Sequence, residues 1–217
     1  VYVTPGPLSI YRKNILKEIG GFDTQNITED IEIAWKILKK GYKNKMCLGA
    51  KVYTDAPRKL KTWWKQRVRW DIGGLQTMNK YKGSFMKKNQ NMFGLFVVPR
   101  FIISHILSLT GFFIFLYISY IHLKSFILTI FYDIITEMPV FNVELLQITP
   151  SVFTFFILFF FLITIIYTFI GLRSLNKEKI GIKGNLRLGF YLLFYLTLYP
   201  IILIHSICLL LSGKIRW

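Results

Sequence analysis

The chain has 217 residues, 53% of them apolar, with 20 Phe, 12 Tyr and a formal net charge of +17. That is enough length for one or two domains and too much unbroken apolar sequence for a wholly soluble one. The charge does not indicate nucleic acid: 20 of the 28 Lys and Arg lie in residues 1–100, beside the first long apolar run. No zinc-finger spacing or nucleic-acid module is present. Cationic flanks on one side of apolar runs are what membrane insertion selects, and they suit anionic lipid and phosphate-bearing substrates. Cys47 and Cys208 fall in different regions, so no disulfide is expected. Residues 1–7 carry no basic start or apolar core of a signal peptide, and read as a chain already in mid-domain.

In chain order, residues 10–23 predict a helix, a Gly20-Gly21 turn and then Phe22-Asp23. Thr28 is a good N-cap for the next helix, and Glu29 and Asp30 fall in its first turn, where the dipole favours negative charge. Ile31, Ala34, Trp35 and Leu38 follow at helical spacing as one apolar stripe. Lys39, Lys40 and Gly41 suit the helix end. The dipole should keep Asp30 ionised, as a general base requires; an acid in a first turn is otherwise an ordinary capping feature.

Residues 63–81 contain Gln66-Arg67-Val68-Arg69-Trp70 followed by Asp71-Ile72-Gly73-Gly74. As a helix, Gln66, Arg69, Trp70 and Gly73 share a face, with Arg67 pointing elsewhere. That face offers an amide, a guanidinium and an indole beside a gap at Gly73. Arg binds phosphate oxygens with a fixed fork, and a Trp face stacks on the apolar side of a sugar ring. The alternative is a basic helix on acidic lipid, anchored by Trp63, Trp64 and Trp70.

Residues 81–100 mix Lys82, Lys87 and Lys88 with Phe85, Met86, Met92, Phe93, Leu95 and Phe96, which suits a segment lying on the inner membrane interface. Residues 101–121, 152–172 and 188–211 are each long enough to cross a bilayer. Residues 125–135 are apolar but short, and read as an interfacial or re-entrant segment or as a fourth span. With three spans, residues 1–100 and 173–187 lie inside and 122–151 outside. Arg173, Lys177, Lys179, Lys183 and Arg187 then fall inside, while Lys214 and Arg216 fall outside against the charge rule. His105 and His205 read as hydrogen-bonded packing residues.

Gly6, Tyr11-Arg12-Lys13, Gly20-Gly21-Phe22-Asp23, Thr28-Glu29-Asp30, Gly41-Tyr42, Tyr53-Thr54-Asp55-Ala56-Pro57 and Gln66-Arg67-Val68-Arg69-Trp70 occur in this order. Together they resemble the second half of the catalytic domain of processive family-2 glycosyltransferases: cellulose, chitin, hyaluronan and poly-N-acetylglucosamine synthases. The likeness is strong over residues 6–75 and one of general architecture beyond. It implies an α/β fold, the second half of a GT-A-type domain, mostly helical here, over residues 1–80. An interfacial segment at 81–100 and a transmembrane region at 101–217 of three, possibly four, helices follow.

The resemblance implies that Asp30, with Thr28 and Glu29, forms the TED motif, Asp30 being the general base on the acceptor hydroxyl. It implies that Gln66, Arg69 and Trp70 form the Q-x-x-R-W set, with Arg69 on the nucleotide diphosphate and Trp70 under the acceptor sugar. Arg67 sits where the family is often basic. No Asp-x-Asp occurs, so a divalent metal, Mg or Mn, and most uracil contacts are expected from upstream sequence. The chain alone is then expected to bind no metal and to be inactive.

The implied partners are a nucleotide-sugar donor, a polysaccharide or glycolipid acceptor and membrane lipids, at the cytoplasmic side of a multi-pass protein of the cell membrane. A non-processive enzyme adding one sugar to a lipid is the rival reading, and an inactive membrane scaffold the second. The motifs fix neither the sugar nor the oligomeric state.

Overall fold

The computed structural model describes residues 3–4, 6–47, 49–50, 52–136, 152–175 and 182–213. Six α-helices are present among them: α1 (Lys13–Glu18), α2 (Glu29–Lys39), α3 (Leu60–Tyr81), α4 (Val98–Thr136), α5 (Val152–Leu175) and α6 (Ile182–Ser212). Two 3₁₀ turns (Lys82–Ser84 and Lys88–Gln90) and a π-helical turn (Phe93–Val97) connect α3 to α4. The Met86 N–H closes this connection onto the Gly94 carbonyl at 2.9 Å.

No strand occurs among the described residues, which overturns the expected α/β class. The described residues of the domain are helical and contain no GT-A sheet. The extended stretch before α3 shows why: Tyr53 is 91% exposed and no backbone ladder forms there. A strand exists only when its N–H and C=O groups find a partner.

α1 and α2 end alike. After α1, Gly20 N–H bonds Lys17 O and Gly21 N–H bonds Leu16 O; after α2, Gly41 N–H bonds Leu38 O and Tyr42 N–H bonds Ile37 O. Both are Schellman closures, and they require φ of +78° at Gly20 and +87° at Gly41. Thr28 stands at the N-cap position of α2, but its hydroxyl does not cap the helix. It donates to Asn26 Oδ1 at 3.3 Å instead, while the Thr28 N–H reaches the same oxygen at 2.9 Å.

The chain divides into two compact units. The first holds residues 1–110 and 196–217. Its core is built on the α2 stripe: Ala34 and Trp35 pack with Tyr81, Phe93 and Val98, flanked by Ile31 and Leu38. The other side of α2 is also apolar and buries Ile33 and Ile37 against Ile19. The end of α6 joins this unit through the buried Ile202 and Leu203, the Trp64 indole N–H donating to His205 Nδ1 at 3.1 Å, and the Ser206 hydroxyl reaching Val68 O at 3.5 Å. His105 bonds its own helix at Phe101 O, 2.8 Å.

The second unit, residues 111–195, holds the outer part of α4, α5 and the first part of α6. Its described apolar side chains face outward: Phe113, Phe115, Tyr117, Phe126 and Phe131 are all more than half exposed. Exposed surface of this composition is stable against lipid and not against water.

Two helical runs among the described residues are long and apolar enough to cross a membrane, Phe93–Thr136 and Gly189–Ser212. The expected segment at 125–135 is neither re-entrant nor a separate span, because α4 runs through it without a break. The expected span at 152–172 falls on α5. Residues 137–151, Lys177, Lys179, Lys214 and Arg216 lie outside the described residues. Both cysteines are free.

Candidate active site

The sequence-singled residues of α2 and α3 come together because the C-terminal half of α3 is built to hold the N-terminus of α2. Asn26 Nδ2 donates to Thr77 Oγ1 at 2.9 Å, and the Ile27 N–H to Gln76 Oε1 at 3.1 Å. Lys80 Nζ reaches Asp23 Oδ2 and Glu32 Oε1, each at 2.6 Å, and Tyr81 Oη donates to Glu32 Oε1 at 2.8 Å. Glu32 is fully buried. A buried carboxylate is tolerated when paired and hydrogen-bonded, and Lys80 and Tyr81 supply this at Oε1 from one turn of α3, while Oε2 is left without a hydrogen-bond partner. This network was not read from the sequence. The pattern Glu32 on α2 and Lys80 on α3 carries no signal until the two helices are known to pack.

Asp30 is half-buried in the first turn of α2. Its Oδ1 accepts the Ile31 N–H at 2.8 Å, and its backbone carbonyl accepts the Thr4 hydroxyl at 2.8 Å. Gly6 lies beside Oδ2; a Cβ at that position would stand 3.9 Å from it. Burial raises the carboxyl's pKa above its ordinary value; the Ile31 N–H opposes this, Glu29 adds to it, and the Arg69 charge opposes it. Desolvation thus makes Asp30 a more basic carboxylate than an exposed aspartate. Glu29 is exposed, and Thr28 is buried.

On α3, Gln66 is half-buried, Arg69 is exposed and Trp70 is 40% exposed. Arg67 departs from the expected orientation. Its guanidinium lies over the Trp70 ring at 4.1 Å and over the Trp63 ring at 5.6 Å, because residues three and four apart on a helix are neighbours. Asp71, one turn on from Arg67, is a second residue that the sequence did not single out. Burial pushes its pKa up to about 7 against the opposing charge of Arg67. Its Oδ2 is buried with no hydrogen-bond partner. The gap expected at Gly73 is not open either, since the Thr28 side chain fills it.

No three His, Cys, Asp or Glu side chains converge as a metal site among the described residues. Asp23 and Glu32 come together, but around the Lys80 ammonium. The residues present do not fit a divalent cation. What they offer is a desolvated carboxylate, an exposed guanidinium within its electrostatic reach, and a partly exposed indole braced by a second guanidinium.

The model of the family described as "Glycosyl transferase family group 2" matches residues 1–211. Among curated proteins, a poly-beta-1,6-N-acetyl-D-glucosamine synthase of Staphylococcus aureus (strain COL) is 37% identical over 82 residues, 38% of this chain and 20% of that protein. A probable glycosyltransferase, YdaM, of Bacillus subtilis (strain 168) is 30% identical over 94 residues, 42% of this chain and 22% of that protein. The chain thus spans about a fifth of the length of these relatives. No solved structure matches.

Proposed function

The chain belongs to glycosyl transferase family group 2, and from that premise we propose that it carries the acceptor-activating and diphosphate-facing residues of a membrane-embedded, inverting transferase. The donor is a nucleotide-sugar, a UDP-sugar, and the acceptor a growing β-linked polysaccharide at the cytoplasmic face. The observation that carries the reading is the packing of α2 on α3, which sets the half-buried Asp30 carboxyl on the same joint as the α3 helix that carries the exposed Arg69. Two helices held together by Thr28, Asn26, Ile27, Gln76 and Thr77 bring a desolvated carboxylate under the influence of an exposed guanidinium.

Asp30 takes the proton of the acceptor hydroxyl as that oxygen attacks the anomeric carbon. The bond from this carbon to the diphosphate oxygen breaks in the same step. One displacement inverts the centre, so an α-linked donor gives a β-linkage. Arg69 meets the charge that develops on the departing diphosphate. Trp70, with Arg67 stacked on it, supplies a flat apolar face for the acceptor ring. A divalent cation, Mg or Mn, is assigned to sequence outside these residues, and no step here passes through it.

Residues 81–100 are assigned to the inner membrane interface. Phe85, Met86, Met92, Leu95 and Phe96 are exposed beside Lys82, Lys87 and Lys88, which supports that placement.

N-acetylglucosamine is the first donor sugar to test, on the strength of the Staphylococcus relative's name. Membranes holding the full-length protein are supplied with UDP-N-acetylglucosamine or UDP-glucose, and UDP release and product size are measured. Polymer formation is the expected result. A single sugar on a lipid would establish the non-processive rival, and no UDP release with either donor would leave the scaffold reading.

A further inference from the structure

We propose that Gly73 is a positioning residue for transfer: by carrying no side chain, it sets how closely Asp30 stands to the Gln66–Trp70 turn of α3. This rests on the transferase reading above. A Cβ built at Gly73 would lie 2.6 Å from Thr28 Cβ and 2.5 Å from Thr28 Cγ2, and would collide with Thr28 Oγ1. These are not the ends of a flexible chain. Thr28 Cβ is one bond from the backbone, in a residue only 5% exposed.

Carbon atoms rest near 3.5 Å apart, so an alanine here forces Thr28 back by about 1 Å. The displacement cannot dissipate locally. Asn26 and Ile27 are tied to Thr77 and Gln76 on one side of Thr28, and Glu32 is tied to Lys80 and Tyr81 on the other. Asp30 lies between these anchors and must move with Thr28. Gly73 itself follows Arg69 by one helical turn, so the collision acts on the spacing of Asp30 and Arg69. A misplacement of about 1 Å is sufficient to cost about 10²-fold in turnover.

The neighbouring Gly74 isolates the effect. Its added Cβ would meet the Phe101 ring at 3.1 Å, a side-chain contact that can yield. Both alanines raise helix propensity equally, so α3 itself should not weaken in either variant.

The experiment compares Gly73→Ala, Gly74→Ala, Thr28→Gly and the double variant Thr28→Gly/Gly73→Ala in the full-length protein. Turnover, UDP competition and melting temperature are measured, with the membrane level of each protein as control. Gly73→Ala should lose about 10²-fold in turnover while UDP still competes as in the parent. Gly74→Ala should transfer close to the parent rate. Thr28→Gly removes the colliding Cβ, so the double variant should turn over like Thr28→Gly alone and melt above Gly73→Ala.

Gly73→Ala transferring like Gly74→Ala would overturn the positioning role and leave the transferase reading intact. A double variant as slow as Gly73→Ala, or loss of UDP competition together with turnover, would overturn it equally. A parent protein that transfers nothing would overturn the transferase reading and the role with it, while the melting cycle would still report the contact.

Discussion

At Asp30 the same burial that raises basicity also withdraws stability. The group's pKa is raised on folding, so its contribution to stability is complete below the ordinary carboxylate pKa and is lost as pH rises through the folded value. Asp30→Asn should therefore melt higher than the parent near pH 7–8, with the gap closing in acid. In the same variant turnover should fall by about 10²-fold, the scale of a lost general base, while UDP binding is kept. Near-normal turnover would reduce Asp30 to a first-turn acid.

Asp71 gives a sharper pH test, because burial takes its pKa from 3.8 to about 7. The parent should lose stability between those two values as pH rises. The advantage in melting temperature of Asp71→Asn should then appear above pH 4 and level off near 7; a constant difference across that range would show an unburied carboxylate.

Arg69→Lys keeps charge but not the fork, so turnover should drop. Trp70→Ala should impair acceptor use more than UDP binding. Arg67→Lys should be milder than Arg69→Lys, and because Arg67 lies on the Trp70 ring its effect should vanish in a Trp70→Ala background. Equal small losses at all three positions would restore the membrane-anchor reading of this helix. Spacing on one helix made Gln66, Arg69 and Trp70 legible as neighbours in the sequence. It could not reveal that Thr28 fills the space at Gly73, which depends on the helix packed opposite, whereas the stacking of Arg67 on Trp63 and Trp70 follows from the spacing within α3 itself.

Among the elements, α2 was legible for local reasons: acids in the first turn, one apolar stripe, and Gly41 free to take positive φ. The fold class was not, because the extended residues before α3 find no partner among those described, and pairing is a property of two segments. The α2–α3 joint rests on Lys80. Removing it strands the fully buried Glu32, whose second oxygen, Oε2, already lacks a partner. Lys80 is 40% exposed, so the loss in Lys80→Met falls below that for a wholly buried pair, about 2–3 kcal/mol in denaturant unfolding. Lys80→Met/Glu32→Gln should recover part of it, because the stranded charge is gone. A double variant no more stable than Lys80→Met would mean that the Lys80–Glu32 contact does not hold the joint.

For the molecule as a whole, the length of α4 decides between topologies. Its 39 residues make one helix about 58 Å long at 1.5 Å per residue, nearly twice a hydrocarbon core of about 30 Å. A single continuous helix crosses once, which removes the basis for a fourth span at 125–135. α5, with 24 residues, is long enough to return. On the charge rule alone, the basic residues 1–100 are expected inside and the sequence after α4 outside. The end of α6 packs on α3 through Trp64–His205 and Ser206–Val68, so the chain after α6 is expected on the side of residues 1–100, where the charge rule also favours Lys214 and Arg216.

With Cys47 and Cys208 replaced by Ser, single cysteines at Asn142, Lys177 and Lys214 can be treated with an impermeant thiol reagent in intact cells. Labelling at 142 but not at 214 is expected, because the end of α6 is held on α3, and labelling at 177 decides whether α5 crosses. Labelling at 214 but not at 142 would invert the protein and place residues 1–100 on the outer side, away from any cytoplasmic nucleotide-sugar. Labelling at 142 and 177 together would show that α5 does not cross, and the chain would then span the membrane only by α4 and α6.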